Sequence, residues 1–236
     1  MAFEDIAGQD DTARRLRATL QRDRLPHAFL FVGSTGTGRA AMARELAQVV
    51  LCEGKDRPDD CCGRCDSCLL FARGAHPDYG EVGLPEGRQS LPIDTIRRVQ
   101  RSAALKPVRA ARRVFVIRDV ERMSIEAANC FLKTLEEPPG RCFFVLIASS
   151  LRRIPETIVS RCRVVRFANL APEVLQRRLE ADGVQPDDAR WLARRAWGSP
   201  GLADALKQAD LHAFNRELVE RLREPSVDDN FALSDW

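Results

Sequence analysis

Four consecutive apolar residues, Phe29-Leu30-Phe31-Val32, run directly into Gly33-Ser34-Thr35-Gly36-Thr37-Gly38, and this junction constrains the fold more than any other stretch. An apolar run, a glycine-rich turn and then a helical pattern make the strand–loop–helix unit of a βαβ fold, in which backbone N–H groups and a helix N-terminus cradle phosphate. The spacing fits G-x-x-x-x-G-[K]-[ST] up to its last two positions. A phosphate loop of that kind ends in a lysine that reaches the β- and γ-phosphates and a hydroxyl residue that ligates magnesium. Here those positions hold Arg39 and Ala40. Arginine still brings charge to a phosphate, whereas alanine offers a metal no oxygen. The acid pair expected after a later strand is broken too: Val114-Phe115-Val116-Ile117 leads into Arg118-Asp119, so only Asp119 remains. Gly33, Gly36, Gly38, Arg39 and Asp119 are the candidate residues of a degenerate nucleotide site. The pattern leaves ATP binding open, and hydrolysis is not expected.

The rest of the chain supplies what such a unit needs. Short apolar runs without alternation, Val114–Ile117 and Phe143–Ala148, predict strands of a parallel sheet covered on both faces, with Val164–Phe167 a weaker third. Helical periodicity covers Asp10–Arg22, Gly38–Leu51, Ile93–Leu105 and Ser124–Glu136. Strands alternating with helices up to Phe167 predict an α/β domain with a parallel sheet. Beyond it the pattern is helical only, with breaks at Asp182-Gly183 and Gly198-Ser199-Pro200-Gly201, which predicts a small three- or four-helix domain over 168–223. The stretch 224–236 holds four acids and no base and reads as a tail, with Phe231, Leu233 and Trp236 among the acids. A length of 236 residues suits this division.

Charge and cysteine usage narrow the class. Lys and Arg number 37 against 34 acids, so the net charge of +3 makes no whole-molecule case for a nucleic-acid or membrane protein. The opening MAFEDIAGQD carries acids where a signal peptide carries bases, and no apolar run approaches the ~18 residues of a membrane span, so a cytoplasmic location is expected. In a reducing compartment, clustered cysteines mean metal before disulfide. Five of the eight, Cys52, Cys61, Cys62, Cys65 and Cys68, fall within seventeen residues, with Arg64 and Lys55 as nearby cations. Cys62, Cys65 and Cys68 form C-x-x-C-x-x-C, and Cys52 lies ten positions earlier. Four thiolates make a closed tetrahedral set with no position for water, the pattern of a structural zinc site. Cys61 is the spare, able to replace Cys62 only by distorting the spacing. Thiolates alone do not fix the metal, and an iron–sulfur cluster uses the same residues.

Taken together, Phe3-Glu4-Asp5-Ile6-Ala7-Gly8-Gln9, Arg24-Leu25-Pro26-His27-Ala28, the glycine loop, the four-cysteine insertion, Leu132-Lys133-Thr134-Leu135-Glu136-Glu137-Pro138-Pro139 and Ser160-Arg161-Cys162 resemble the AAA+ subunits of the bacterial DNA polymerase III clamp loader. The resemblance spans almost everything from Phe3 to Leu206. It implies an AAA+ P-loop type parallel sheet with helices on both faces over 1–167, carrying a zinc-binding insertion at about 52–68. A small all-helical lid over 168–223 follows. The family's C-terminal helical collar is expected to be absent from this chain. The implied partners are the clamp-loader motor and delta subunits, the sliding clamp and primed DNA, with no membrane. Motor subunits of the family keep the lysine, the threonine and the acid pair, and the delta-prime type degrades them; Arg39, Ala40 and Arg118 group this chain with that type. By match to the family's SRC triplet, Arg161 is implied to be an arginine finger acting in trans, a planar and permanent cation stabilising charge on a neighbour's γ-phosphate. Gly198-Ser199-Pro200-Gly201-Leu202 lacks the arginine of the family's G-S-x-R sensor.

Between Thr95 and Arg118 stand eight bases and no acid. Arg97, Arg98 and Arg101 are candidate contacts to DNA phosphates, with a solvated helix face as the equal alternative. Ile125, Ala128, Leu132 and Leu135 are expected to form a buried stripe, leaving Lys133, Glu136 and Glu137 outside it. His27 and His76 have no Ser or Cys partner at meaningful spacing and read as structural, so no catalytic triad is visible. Two other readings stay open: an autonomous ATPase using Arg39 and Asp119, and a stand-alone zinc-containing DNA-binding module.

Overall fold

The apolar runs become strands because each has two faces to bury. In the computed structural model, which describes residues 3, 6–22, 25–54 and 59–223, the chain forms two compact units, Met1–Ala168 and Asn169–Trp236. Glu4, Asp5, Arg24, Lys55 and the 224–236 tail with Phe231, Leu233 and Trp236 lie outside the described residues. The first unit runs α1 (Asp10–Gln21), β1 (Ala28–Val32), α2 (Arg39–Leu51), α3 (Asp66–Ala72), β2 (Tyr79–Val82), α4 (Ile93–Ala103), β3 (Arg113–Ile117), α5 (Ile125–Glu136), β4 (Cys142–Ala148), α6 (Glu156–Val159) and β5 (Arg163–Arg166). All pairings are parallel, in the order β2-β3-β4-β1-β5. Alternate residues of the central strands serve opposite layers. Phe29, Phe31, Val116, Phe143 and Val145 pack on one face with Leu16 and Leu20 of α1 and Met42 and Leu46 of α2. Leu30, Phe115, Ile117, Phe144 and Leu146 pack on the other with Ile96 and Val99 of α4 and Phe131 and Leu135 of α5. Both faces are covered, and for that reason the central strands show no polar alternation.

Three elements, β2, α3 and the four-residue α6, carry too weak a sequence signal to be expected. β2, Tyr-Gly-Glu-Val, is an edge strand whose residues are partly exposed, so it lacks the continuous apolar run of its neighbours. α3 has seven residues, shorter than any periodicity window, and is started by Cys65, whose sulfur accepts the Cys68 N–H at 3.4 Å. The stripe expected on α5 is also corrected. Ile125 is 78% exposed, while Ala127, Ala128, Phe131, Thr134 and Leu135 are buried. The covered face is therefore centred about a quarter of a turn from the one expected. Lys133, Glu136 and Glu137 are exposed.

The second unit is helical: α7 (Pro172–Ala181), α8 (Pro186–Arg195), α9 (Pro200–Gln208) and α10 (Leu211–Arg223). Leu175 and Leu179 of α7, Leu192 and Ala193 of α8 and Ala203 of α9 form its core. Ser199 caps α9 by accepting the Leu202 N–H at 3.1 Å, and Pro200 opens the helix where its missing N–H costs nothing. No helix among the described residues is long and apolar enough to cross a membrane.

One buried acid organises the loop between α4 and β3. Asp78 is fully buried and accepts the N–H groups of Val108, Arg109 and Ala110 at 2.7–2.9 Å, with Arg113 Nε 3.9 Å away. Burial pushes its carboxyl up, but those three donors and Arg113 outweigh it and hold the carboxyl below the ordinary range. Asp78→Ala is expected to lower unfolding stability by about 3–5 kcal/mol, because it strands three donors and a buried guanidinium. Denaturant unfolding checks it. The contribution is fully present above the unfolded value of ~3.9 and is lost as pH falls through the lower folded value. The variant should consequently lose less stability than the native chain on acidification.

Candidate functional site

The glycine loop sits where β1 ends, and crowding dictates two of its glycines. A Cβ on Gly33 would lie 2.5 Å from the Phe167 carbonyl oxygen; one on Gly38, whose φ is +88°, would lie 2.4 Å from Ile6 Cγ2. Neither position accepts a side chain without moving its neighbours. Gly33 N–H donates to the Ala148 carbonyl at 3.3 Å, and Thr37 Oγ1 donates to the Ser34 carbonyl at 2.7 Å, so the turn is tied to β4 and closed on itself. Arg39, the residue in the lysine position, does not extend into solvent. It is buried and its Nη1 donates to the Ala148 carbonyl, with Nε enclosed and without a partner. Burial pulls its guanidinium below the usual range, against the opposing pull of Glu121 and Asp119.

An open cavity of about 410 Å³ lies beside the loop, with Thr35, Gly36, Gly38, Arg39 and Ala40 on one side. Arg118, Asp119, Glu121, Arg122 and Ser149 line the other. Arg118 is turned towards Glu81 of β2, Nε to Oε1 3.3 Å. Asp119, at φ +57°, accepts the Leu84 N–H at 3.3 Å. Glu121 and Ser149 are site residues that the sequence reading missed. Glu121 Oε1 accepts both the Ser149 N–H at 2.9 Å and the Ser149 hydroxyl, while Oε2 is enclosed without a partner. They are 28 residues apart and meet only because β3 and β4 are neighbours, so no local spacing marks them. Arg39 thus feels the charge of Glu121 and Asp119 on a lining that also carries Arg118 and Arg122. The oxygens that magnesium draws from the protein in such a loop are replaced by the methyl of Ala40 and the guanidinium of Arg118.

The cysteine module hangs between α2 and α3. The sulfurs of Cys52, Cys62, Cys65 and Cys68 lie within 4.8 Å of one another, with Cys52–Cys62 at 3.6 Å, Cys52–Cys65 at 3.9 Å and Cys62–Cys68 at 4.0 Å. A tetrahedral ion about 2.3 Å from each sulfur sets them ~3.8 Å apart, close to these three separations, so the cluster has the spacing that suits zinc. Backbone N–H groups donate to three of the sulfurs: Gly54 and Cys62 to Cys52, Cys65 to Cys62 and Cys68 to Cys65, all at 3.3–3.4 Å. The N–H groups of Arg64 and Cys65 hold the Cys62 thiol down to about 6, and burial pushes those of Cys52 and Cys68 up. Cys61 is outside the converging set and packs against the core. Arg109 ties the module to the loop that Asp78 holds, reaching Glu53 at 3.2 Å and Asp66 at 3.3 Å. His76 is a structural residue here: buried, it accepts the Asp78 N–H on Nδ1 and lies 3.1 Å from Ser67 Oγ through Nε2.

Arg161 follows α6 and remains at the surface, its side chain 35% exposed. Nη2 reaches Glu136 Oε1 at 2.6 Å, and Nη1 donates to the Thr157 carbonyl at 3.0 Å. Next to it, burial pushes the Cys162 thiol up to about 12. The basic stripe is less uniform than its sequence. Arg113 is buried near Asp78, Arg109 meets Glu53 and Asp66, and Arg118 meets Glu81, so acids from distant segments neutralise three of the eight. Arg97, Arg98 and Arg101 stay exposed along α4, with Arg97 3.5 Å from Asp94.

Residues 8–171 match the family profile described as DNA polymerase III, delta subunit. The DNA polymerase III subunit delta' of Bacillus subtilis (strain 168) is 33% identical over 217 residues, covering 92% of this chain and 64% of that protein. Subunit tau of the same organism is 31% identical over 212 residues, covering 88% of this chain and 37% of that protein. The chain therefore spans less than two thirds of either relative. A solved DNA polymerase III gamma subunit-related protein from Thermotoga maritima shares the fold, with a TM-score of 0.50 at 19% identity, over 94% of this chain and 76% of that one.

Proposed function

The chain belongs to the family of DNA polymerase III clamp-loader AAA+ subunits of the delta' and gamma/tau kind, and from that premise we propose that it is a delta-prime-like, non-hydrolysing subunit. In this role it helps load the sliding clamp on primed DNA by completing a neighbour's ATP site. The observation that carries the reading is Arg39 folded onto the Ala148 carbonyl beside Glu121, with Ala40 and Arg118 where metal-binding oxygens belong. With Nη1 committed to a carbonyl, Arg39 does not reach out as the loop's lysine does, and the cavity recruits no magnesium through the positions of Ala40 and Arg118. Arg161, by contrast, stands at the surface on a short helix end, presenting a planar fork that an incoming phosphate can take from Glu136.

The remaining parts take matching roles. Residues 1–167 form the nucleotide-binding-like domain and 168–223 the lid. Cys52, Cys62, Cys65 and Cys68 hold a structural zinc ion, which supplies a closed cross-link and no reaction chemistry. Arg97, Arg98 and Arg101 meet the phosphates of primed DNA, and the motor and delta subunits are the protein partners. The test is ATP turnover. The purified chain alone should show no magnesium-dependent hydrolysis above blank, and its addition to cognate motor and delta subunits should raise clamp- and primed-DNA-stimulated turnover. Turnover by the chain alone, abolished by Asp119→Ala, would make it an ATPase in its own right. Neither stimulation nor a complex would end the clamp-loader reading.

A further inference from the structure

The cavity of about 550 Å³ lined by His27, Arg112 and Arg141 has no role in the nucleotide site, the cysteine module or the exposed finger. It lies at the opposite end of the sheet. The strands are parallel, so the glycine loop and Asp119 follow the C-terminal ends of β1 and β3, whereas His27, Arg112 and Arg141 each immediately precede β1, β3 and β4. These three strands are adjacent, in the order β3-β4-β1, which brings together three basic residues that are 29 or more positions apart in the chain.

Three features define the arrangement. Arg113 pairs with Cys142 in the ladder, and the Arg113 N–H donates to the Arg141 carbonyl at 2.8 Å, so Arg112 and Arg141 occupy neighbouring positions at the ladder's end. Like charges directly opposite one another across strands are destabilising. The cavity lining contains no acid, and among the described residues neither arginine has an ion-pair partner. Finally, His27 Nε2 is enclosed and has no hydrogen-bond partner, although the residue's backbone is fixed by its carbonyl accepting the Phe144 N–H at 2.9 Å. The arginine positions are also held in advance: Asp78 clamps Val108 to Ala110, and Arg113 is anchored by its donors to the Ser102 and Pro77 carbonyls.

We propose that this cavity binds a phosphate-class oxyanion, with Arg112 and Arg141 as the charged donors and His27 as a neighbouring lining residue. One such anion relieves the arginine repulsion, and charge-assisted donors to phosphate oxygens are the strong class of hydrogen bond. A cavity far larger than a single phosphate suits a phosphate carried on something else, either a nucleic-acid backbone or a small phosphorylated molecule. The inference stands on these residues alone and does not rest on the clamp-loader reading.

The full chain has three histidines, so the imidazole nitrogens are few enough to follow individually by NMR. Inorganic phosphate and a short primed DNA duplex are the two probes. Phosphate is expected to shift the His27 resonances saturably, with binding at least about tenfold weaker in the Arg112→Gln/Arg141→Gln variant. The Arg39→Ala variant should titrate like the native chain. Should the double variant fail to fold, Arg112→Gln and Arg141→Gln are titrated singly. If DNA gives the same shift and phosphate displaces it, the site takes a nucleic-acid backbone; if only phosphate does, it takes a small phosphorylated ligand. No saturable shift with either probe, or a shift undiminished in the arginine variants, overturns the site.

Discussion

Replacing Arg161 with alanine is expected to reduce the clamp- and primed-DNA-stimulated ATP turnover of the neighbouring motor subunit by about 10³-fold or more, with the complex still assembling. The size follows from what a trans arginine does. Charge builds on the γ-phosphate oxygens in the transition state, and a guanidinium in a water-poor interface stabilises it more there than in the ground state. In the free chain the same group is held by Glu136 at 2.6 Å, with both side chains partly exposed. An exposed pair of that kind contributes only ~0–1 kcal/mol, so Glu136 is a resting partner that a phosphate readily displaces. Glu136→Gln should accordingly leave turnover within about twofold of the native level. Arg161→Lys should recover only part of the loss, since an ammonium keeps the charge and lacks the fork. An Arg161→Ala complex that turns over ATP at the native rate would remove the finger role while leaving family membership intact.

Substituting Cys65 with serine is expected to abolish metal binding and to unravel the segment between α2 and α3. Structural zinc contributes about 10–16 kcal/mol to the folding of isolated finger peptides near pH 7. Here the effect is smaller, because the sheet has apolar layers on both faces and the module adds only Phe71 and Cys61 to one of them. Cys65 matters twice, as a sulfur 3.9 Å from Cys52 and as the acceptor that caps α3. Metal analysis should find one zinc per native chain and none in the variant, and protease should cut the variant within 52–68. Cys61→Ser should keep its metal. Falling pH should release the ion, because the thiolates must take up protons to let it go. Full zinc retention in Cys65→Ser, or loss in Cys61→Ser with retention in Cys62→Ser, would show that the ligand set is wrong.

Much of the fold is legible in the chain because burial on two faces leaves a signature in composition. Phe29–Val32, Val114–Ile117 and Phe143–Ala148 are unbroken apolar runs, and each lies within a central strand. The edges are harder to read. β5 is a weak run flanked by Arg163 and Arg166, and β2 contains Gly80, where an added Cβ would lie 2.8 Å from the Phe115 ring. An edge strand needs no second buried face, so its residues carry no double apolar demand. The cysteine spacing was equally legible, since a C-x-x-C-x-x-C run with one distant partner already encloses a tetrahedron. The phosphate loop was legible in its glycines and in its two missing oxygens. The partners of its side chains were not.

The sequence by itself determined the parallel α/β class, the helical second unit, the four thiolates and the replaced residues of the phosphate loop, because these depend on local periodicity, residue chemistry and short spacing. Tertiary structure alone decided where charge ends up. It folded Arg39 onto the Ala148 carbonyl, set Glu121 against Ser149, spent three bases of the stripe on acids from distant segments, and gathered His27, Arg112 and Arg141 at one end of the sheet. Strand order in a parallel sheet is set by the packing of crossover helices and not by chain order. Which side chains meet across neighbouring strands is therefore written in no single stretch of the chain.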